Sequence, residues 1–561
     1  TLIPQIVAME LGADWRQVAV EPAPVSGAYG NAVLAARWSR LWLPLVPSLA
    51  GSPDAFLAKR FAEEEAFNVM ADGTSLAAFE YPARVAAASA RAMLARAAAA
   101  KWGVAWEACE SEGGFILHGK NKLSFAALAE DAAGYAPPDP PVLRIQPPLE
   151  HAAEFPPGAP LRFPRLDLPA KVDGSYTFAA DVRLPDMVFA AIRHAPQGKA
   201  KLAGYDTNLA QGVKGLLKLV NGPDWLAAVG TTWWAAERAL SLIAPRFAVS
   251  ERADSAAIGK TLDKALRYGT ATRMAERGDP DQWLGSKYEH VAGYSIAPAL
   301  HAALETASAT ARFSDGKLEL WLASQAPQAA RRAAAAAAGL SIDQVVLYPM
   351  PGGGSFDARL ENDHAGEVAL IARQLGKPVQ LTWSRWQEHV AARPRSPARA
   401  ILGARTAADG SLTALKLRVA MPATTAEFGK RLFDGDSARD ALDAQDHADP
   451  LFFAGLVPPY GFDHLLVEHC PARIDLPTAR MRGNGAALGC FLIETFIDEL
   501  AAKAGREPLS YRIAMLGQDL KLAGVLQRAA NLPNGAAARW AAAKAWRAAG
   551  WTWPGVKGGS R

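Results

Sequence analysis

The sequence predicts a multidomain α+β protein, and three observations carry that prediction. The chain has 561 residues, far more than one hydrophobic core usually organises, so roughly three to four domain-sized units are expected. An alanine-rich stretch with a glycine stop reads as a long helix and is followed at once by short alternating strands. Farther on, strands and helices alternate around a glycine turn.

Taken in order, Leu2, Ile6, Val7 and Met9 fall on one helical stripe between Thr1 and about Val20, and VAVEPAP reads as a strand entering a turn. From about Tyr81, ARVAAASARAMLARAAAAKWG predicts a helix stopped by Gly103, and FILHGKNKLSF predicts short strands, which together make one α+β unit over 1–135. Residues 136–163 are dense in proline (APPDPPVL, IQPPLE, FPPGAP); proline donates no ladder hydrogen bond, so an extended linker is expected there. PRLDLPAKVDGSYTFAADVRLPDMVFAAIRHAP predicts two or three short strands and TTWWAAERALSLI a helix, a second compact α+β unit over 164–250.

Residues 251–561 form the remaining α+β layer. From about Tyr288 the reading is strand (YSIAPALH), strand (ATARFSDGKLELWLAS), helix (PQAARRAAAAAAGL), strand (DQVVLYPM), glycine loop, helix (ENDHAGEVALIARQLG) and strand (PVQLTW). An amphipathic helix, IETFIDELAAKAG, comes near the end. The tail with Trp540, Trp546, Trp551 and Trp553 suits either cover for a partner or ordinary packing.

Half the residues are apolar and 21% are charged, an ordinary globular balance that argues against disorder or a fibrous repeat. The net charge of +4 is spread over 60 basic and 56 acidic residues with no long Lys/Arg block, which removes the electrostatic footprint of a nucleic-acid binder. Cys109, Cys470 and Cys490 are too few and too scattered for a disulfide framework, or for an iron–sulfur cluster with its about four closely spaced thiolates. Any such cluster is therefore expected on another chain. No run of about 18 apolar residues occurs, and TLIPQIVAMELGADW has neither a basic n-region nor a cleavage site.

The sharpest motif is Met350-Pro351-Gly352-Gly353-Gly354-Ser355-Phe356, between a strand ending near Tyr348 and a helix starting near Asn362. Three glycines let the backbone approach a bulky ligand, and their N–H groups can form an anion-receiving concavity; a plain glycine-rich turn is the alternative. The loop lacks the Gly-Lys-Ser/Thr of a phosphate-binding P-loop and the G-x-G-x-x-G dinucleotide fingerprint. A second cluster, Ala479-Arg480-Met481-Arg482-Gly483-Asn484-Gly485, lies between the strand-like Leu465-Leu466-Val467-Glu468 and a helix through Glu494. Arginine offers a planar donor fork for a phosphate or oxo group, and the glycines permit close contact; a surface turn with solvated arginines is the alternative.

Taken together, these segments resemble the molybdopterin-binding large subunit of molybdenum hydroxylases, of the isoquinoline 1-oxidoreductase (beta chain) and membrane-bound aldehyde dehydrogenase type, over nearly the whole chain. GGGSFDARLENDHAGEVALIARQLGKPVQLTWSRWQEH looks like the family's GGGFGRR-type loop followed by a helix, G-K-P-V and W-(T/S)-R. RMRGNGAALGCFLIETFIDELA looks like its second pterin-contacting segment. PRLDLPAKVDGSYTFAADVRLPDMVFAAI is similar to the opening of an α/β hammerhead domain, HAALET to the H-x-x-(M/L)-E element, and TLIPQIVAMELGADWRQVAVEPAP to the segment after a G-Q-G-x-x-T loop.

The fold implied is a multidomain α+β molybdopterin-binding subunit: 1–135 and 251–561 as molybdopterin-binding segments, 136–163 as linker and 164–250 as the hammerhead domain. Gly352, Gly353, Gly354, Ser355 and Phe356 would line the pterin, with Arg482, Gly483, Asn484 and Gly485 reaching it from the other side. The implied cofactor is molybdopterin carrying Mo, in its cytosine dinucleotide form. The implied reaction is hydroxylation of an aldehyde or N-heterocycle with water as oxygen source, electrons leaving to a small 2Fe-2S subunit and onward to a c-type cytochrome. A non-catalytic scaffold or assembly subunit is the rival reading; an ATP-binding enzyme would need the missing lysine.

The chain departs from the pattern at its ends and in its loop. No G-x-G-E glutamate, the family's base, follows Trp551, and the G-Q-G-x-x-T loop would precede Thr1; no catalytic residue is named, and the chain is expected to be part of a longer polypeptide. Relatives are often exported folded, so a periplasmic or periplasmic membrane-associated location is expected, with the cytoplasm as alternative. Ser355 precedes Phe356, and Asp357-Ala358-Arg359 stands where the family has Gly and two arginines, which places a carboxylate near expected phosphates. His301 and Glu305 suit either a place beside the substrate channel or a structural role. Glu494 reads as a buried helix residue anchoring the loop before it, Cys490 as a packing residue, and His464 with His469 as lacking a third metal ligand, so no protein metal site is expected.

Overall fold

A computed structural model describes residues 2–145, 163–285, 287–517 and 519–531. Two compact units interleave along the chain: the first is Thr1–His194, Leu202–Arg246 and Ala303–Glu388, and the second is Ala195–Lys201, Phe247–Ala302 and His389–Arg561. Among the described residues no helix is long and apolar enough to cross a membrane.

In the first unit the helix Leu2–Leu11 packs along the helix Thr74–Trp102. Glu10 is buried at this seam, and its carboxylate accepts from Arg84 Nε (3.0 Å), Arg91 (2.8 Å) and the Arg144 N–H (2.8 Å). The long helix ends as expected on a left-handed Gly103 (φ 65°) but begins at Thr74, before Pro82, which sits inside it. A start near Tyr81 is what the alanine run predicts, yet the start is fixed upstream, where the buried Asn31 Nδ2 donates to Thr74 Oγ1 (2.9 Å). The expected strand at VAVEPAP is absent: residues 18–24 are irregular, and Pro22 and Pro24 donate nothing. FILHGKNKLSF does form strands, Phe115–His118 and Asn121–Ser124, in a meander with Glu110–Glu112. Most of the proline-rich stretch, residues 146–162, lies outside the described residues, as do the four tail tryptophans.

The first unit is organised by a seven-stranded mixed sheet in the order Val345–Pro349, Lys317–Leu322, Ser308–Ser314, Val379–Thr382, Val188–His194, Trp225–Gly230, Leu216–Asn221. Of the strands expected between 164 and 196 only Val188–His194 forms. LPAKVD is instead a short helix, Leu168–Asp173, opened by a proline in its first turn. The Ser308–Ser314 and Lys317–Leu322 strands join through Asp315 (φ 50°) and Gly316 (φ 75°), a two-residue turn whose left-handed pair matches strand twist. Lys317–Leu322, the helix Pro327–Ala338 and the parallel strand Val345–Pro349 make the expected β-α-β crossover. The helix Asp363–Leu375 packs against Pro327–Ala338, with Gly366 set against Ala333 and Ala337.

The second unit is built on a five-stranded sheet in the order His290–Ile296, Ala398–Thr406, Leu412–Met421, His464–Pro471, Thr272–Arg277. Leu415, Leu417 and Val467 bury one face against Leu492, Phe496 and Leu500 of the helix Asn484–Lys503. Leu266 of the helix Ser255–Tyr268 packs with Ala420 and Cys470. Cys490 is exposed rather than packed, because Leu488, Gly489 and Leu492 supply the buried face of its helix. Glu494 is one-third exposed and accepts from Tyr460 Oη (2.9 Å) and Arg512 Nε (2.7 Å), so it ties down Tyr460 and the helix Pro508–Leu516, not the loop before its own helix.

Candidate functional site

The glycine loop leaves the edge strand Val345–Pro349 and folds back onto its own unit. Gly353 donates its N–H to Glu305 Oε2 (2.7 Å) and accepts at its carbonyl from the Glu305 N–H (3.0 Å). A Cβ on Gly353 would lie 2.5 Å from Glu305 Cβ, so only glycine permits this approach. The other Glu305 oxygen accepts from the Ala180 N–H (2.9 Å). Phe356 (φ 55°) and Asp357 (φ 77°) are consecutive left-handed residues, each disfavoured by roughly 1–2 kcal/mol, and such a pair persists only where the surroundings hold it.

They are held by side chains. Ser355 Oγ donates to Gln325 Oε1 and accepts from the Arg359 N–H (3.0 Å), while Gln325 Nε2 donates to Asp357 Oδ1 (3.1 Å). Asp357 is buried and engaged with Gln325, and the Phe356 ring is 45% exposed. Arg359, also buried, donates to Glu388 Oε1 (2.9 Å) and to the Glu305 carbonyl (3.1 Å). Arg385 holds the other oxygen of Glu388 (2.9 Å) and the Leu304 carbonyl (2.8 Å).

Beneath the loop, burial drives the His364 pKa down to about 3, with the Arg359 charge adding to the effect, so that ring is neutral. His194 goes the other way. Burial lowers its pKa, but the charge and hydrogen bond of Glu367 and the hydrogen bond to Gln387 outweigh burial and raise it. Its Nε2 faces Glu367 Oε1 (2.8 Å) and its Nδ1 faces Gln387 Oε1 (3.2 Å), an arrangement that a doubly donating imidazolium satisfies.

The arginine turn lies in the second unit. Arg480 is buried with its guanidinium 5.7 Å from the Phe428 ring, and its carbonyl accepts from His301 Nε2 (2.6 Å). Gly483 (φ 89°) and Asn484 (φ 42°) are left-handed and start the helix Asn484–Lys503. Gly485 is used for packing: a Cβ there would lie 1.7 Å from the Phe452 carbonyl oxygen. Asp449 caps the helix Pro450–Phe453 by accepting from the Phe452 N–H (3.1 Å), and also accepts from the Thr425 N–H (2.7 Å). Burial lifts its pKa to about 6 against those bonds and the Arg480 charge. Asn484 Nδ2 donates to Thr425 Oγ1 (3.4 Å), and its buried Oδ1 has no hydrogen-bond partner among the described residues. Arg482 is exposed, with no ion pair or hydrogen bond among the described residues.

Gly352 to Phe356 are thus brought together with Glu305, Gln325 and Arg359, and Asn484 and Gly485 with Thr425 and Phe452, while Arg482 stands clear of them. Glu305 and His301 act on backbone, one on Gly353 and the other on Arg480. His464 accepts from the Asp279 N–H (2.9 Å) and His469 faces the Met421 carbonyl (2.9 Å). Sequence reasoning missed Gln325, Glu388 and Asp449. Asp449-Pro450 carried a signal, the N-cap followed by a first-turn proline; Gln325 and Glu388 reach the loop only through long-range folding. A molybdopterin requires donors for its anionic and oxo groups and acceptors for its ring N–H groups. The exposed Arg482 fork, with no ion pair or hydrogen bond among the described residues, is a donor of that kind.

Residues 267–430 match the molybdopterin cofactor-binding domain family. The chain is 25% identical to the beta subunit of isoquinoline 1-oxidoreductase from Brevundimonas diminuta, over 95% of this chain and 69% of that protein. It is also 25% identical to the B subunit of nicotinate dehydrogenase from Pseudomonas putida, over 78% of this chain and 37% of that protein. The crystal structure of quinoline 2-oxidoreductase from Pseudomonas putida 86 shares the fold, with a TM-score of 0.51 at 18% identity, covering 69% of this chain and 55% of that one. The chain therefore spans only part of the length of each.

Proposed function

Because this chain belongs to the molybdenum hydroxylase family, we propose that it is the molybdopterin-binding part of an oxidoreductase that hydroxylates an aldehyde or N-heteroaromatic substrate with water as oxygen source. The observation that carries this reading is the arginine turn, where Arg482 is exposed with no ion pair or hydrogen bond among the described residues.

When bound, the cofactor supplies the two-electron redox chemistry. Arg482 would offer its donor fork to an anionic or oxo group of the cofactor. Gly483 keeps the turn free of a side chain. In the loop, the side chains of Asp357 and Arg359 are engaged internally, so Gly352, Gly354, Ser355 and Phe356 present backbone and an aromatic face rather than charge. The cytosine dinucleotide form of the cofactor, a small 2Fe-2S partner protein, a c-type cytochrome beyond it, a hammerhead domain over 164–250 and a periplasmic-side location belong to the same reading. The cysteines support an external cluster: Cys470 is buried, Cys109 partly buried and Cys490 exposed, and none lies in a cluster-binding spacing.

The test is turnover of an aldehyde and of an N-heterocycle in ¹⁸O-labelled water by the purified complex. Label in the product supports the reading. A protein that carries molybdenum-free, pterin-free chains in every preparation supports the scaffold alternative.

A further inference from the structure

We infer that Glu305 is a positioning residue that fixes the conformation of the glycine loop, with Glu388 as the support that sets Glu305 in place. The resemblance put Glu305 beside a substrate path, but the geometry gives its carboxylate to backbone: Oε2 takes the Gly353 N–H (2.7 Å) and Oε1 the Ala180 N–H (2.9 Å). Both oxygens are thus engaged by amides, and the backbone pairing of Glu305 with Gly353 (3.0 Å) makes a two-point clamp on one loop residue. The clamp is itself held from behind. The carbonyls of Leu304 and Glu305 accept from Arg385 (2.8 Å) and Arg359 (3.1 Å), and both guanidiniums are fixed on the two oxygens of Glu388.

Two consequences follow for the loop. The Gly353 amide points at Glu305, so the loop's ligand-facing surface is made by its other residues. The left-handed Phe356–Asp357 pair is kept in place because the chain is gripped ahead of it by Glu305 and behind it by Arg359. The link to cofactor retention rests on the proposed function; the clamp itself does not.

The experiment is hydrogen exchange by mass spectrometry on the full chain as purified, comparing wild type with Glu305→Gln and Glu305→Ala, alongside pterin content and substrate KM. Glutamine keeps the volume but accepts at one atom only, so it releases one of the two amides without emptying the site. The expected result is exchange at least tenfold faster in peptides spanning 350–358 in both variants, with peptides of the 412–421 strand unchanged. Pterin content falls, and KM per occupied site is unchanged. Wild-type exchange over 350–358 in both variants overturns the assignment, as does full pterin occupancy with a raised KM, which marks a substrate contact. Faster exchange with no pterin in any form, wild type included, upholds the clamp and removes the cofactor reading instead.

Discussion

The glycine loop of the first unit and the arginine turn of the second are both made of consecutive left-handed residues, but they direct their polar groups oppositely. In the loop, the Glu305 carboxylate, the Gln325 amide and the Arg359 guanidinium turn on the chain itself, and the most exposed side chain is the phenyl ring of Phe356. In the turn, Arg480 is buried against Phe428, yet among the described residues Arg482, two residues on, is exposed without a partner and the buried Asn484 Oδ1 has no donor. Glycine content alone does not separate a ligand cradle from a packing device. Gly353 and Gly485 are both required by contacts within the protein, with Glu305 and Phe452 respectively. What distinguishes the turn is an exposed arginine fork, Arg482, that no ion pair or hydrogen bond among the described residues engages, whereas Arg359 of the loop is spent on Glu388.

The contrast breaks most visibly at Glu388. Glu388→Ala strips the buried Arg359 of its counter-charge and is expected to destabilise the first unit by about 3–5 kcal/mol, read as a lower urea midpoint for its unfolding transition. A loss under about 1 kcal/mol means that the loop is held by other contacts.

The second unit has a pH signature of its own. The folded pKa of Asp449 is raised to about 6 from an ordinary 3.8, so its contribution to stability is fully present below pH 3.8 and is lost as pH rises through about 6. The shift corresponds to about 3 kcal/mol. Between pH 4 and pH 7 the urea midpoint of wild type is expected to fall relative to that of Asp449→Asn, and parallel pH profiles contradict the assignment.

The two sets of glycines then separate by degree. A methyl at Gly485 meets the Phe452 carbonyl at 1.7 Å, whereas one at Gly352 meets Ala323 at 3.3 Å. Gly485→Ala is expected to lower stability by about 1–3 kcal/mol and Gly352→Ala by less than about 1 kcal/mol. Equal melting temperatures for the two variants refute the distinction.

Much of this architecture was legible in the chain. The β-α-β crossover into the glycine loop, the Gly103 stop and the helix after Arg482 follow from periodicity and glycine chemistry acting over a few residues. Failures came where a local signal had two readings. The alanine run suggests a helix start near Tyr81 but the helix begins at Thr74 and runs through Pro82, and LPAKVD reads with strands but has a proline suited to a first helical turn. The site was half legible. Glycines and arginines mark the two turns, but the partners that give them meaning, Glu305 for Gly353 and Glu388 for Arg359, are 48 and 29 residues away and share no pattern with them.

The smallest expected change in stability tests the central claim most directly. Arg482→Ala removes an exposed, unpaired side chain and is expected to shift stability by no more than about 0.5 kcal/mol. The decisive measurement is molybdenum and pterin per chain in wild type and in Arg482→Ala, purified from the same cofactor-producing host. One of each per wild-type chain is expected, with a several-fold loss in the variant at unchanged melting temperature; equal loading of the two proteins, or none in either, contradicts the claim.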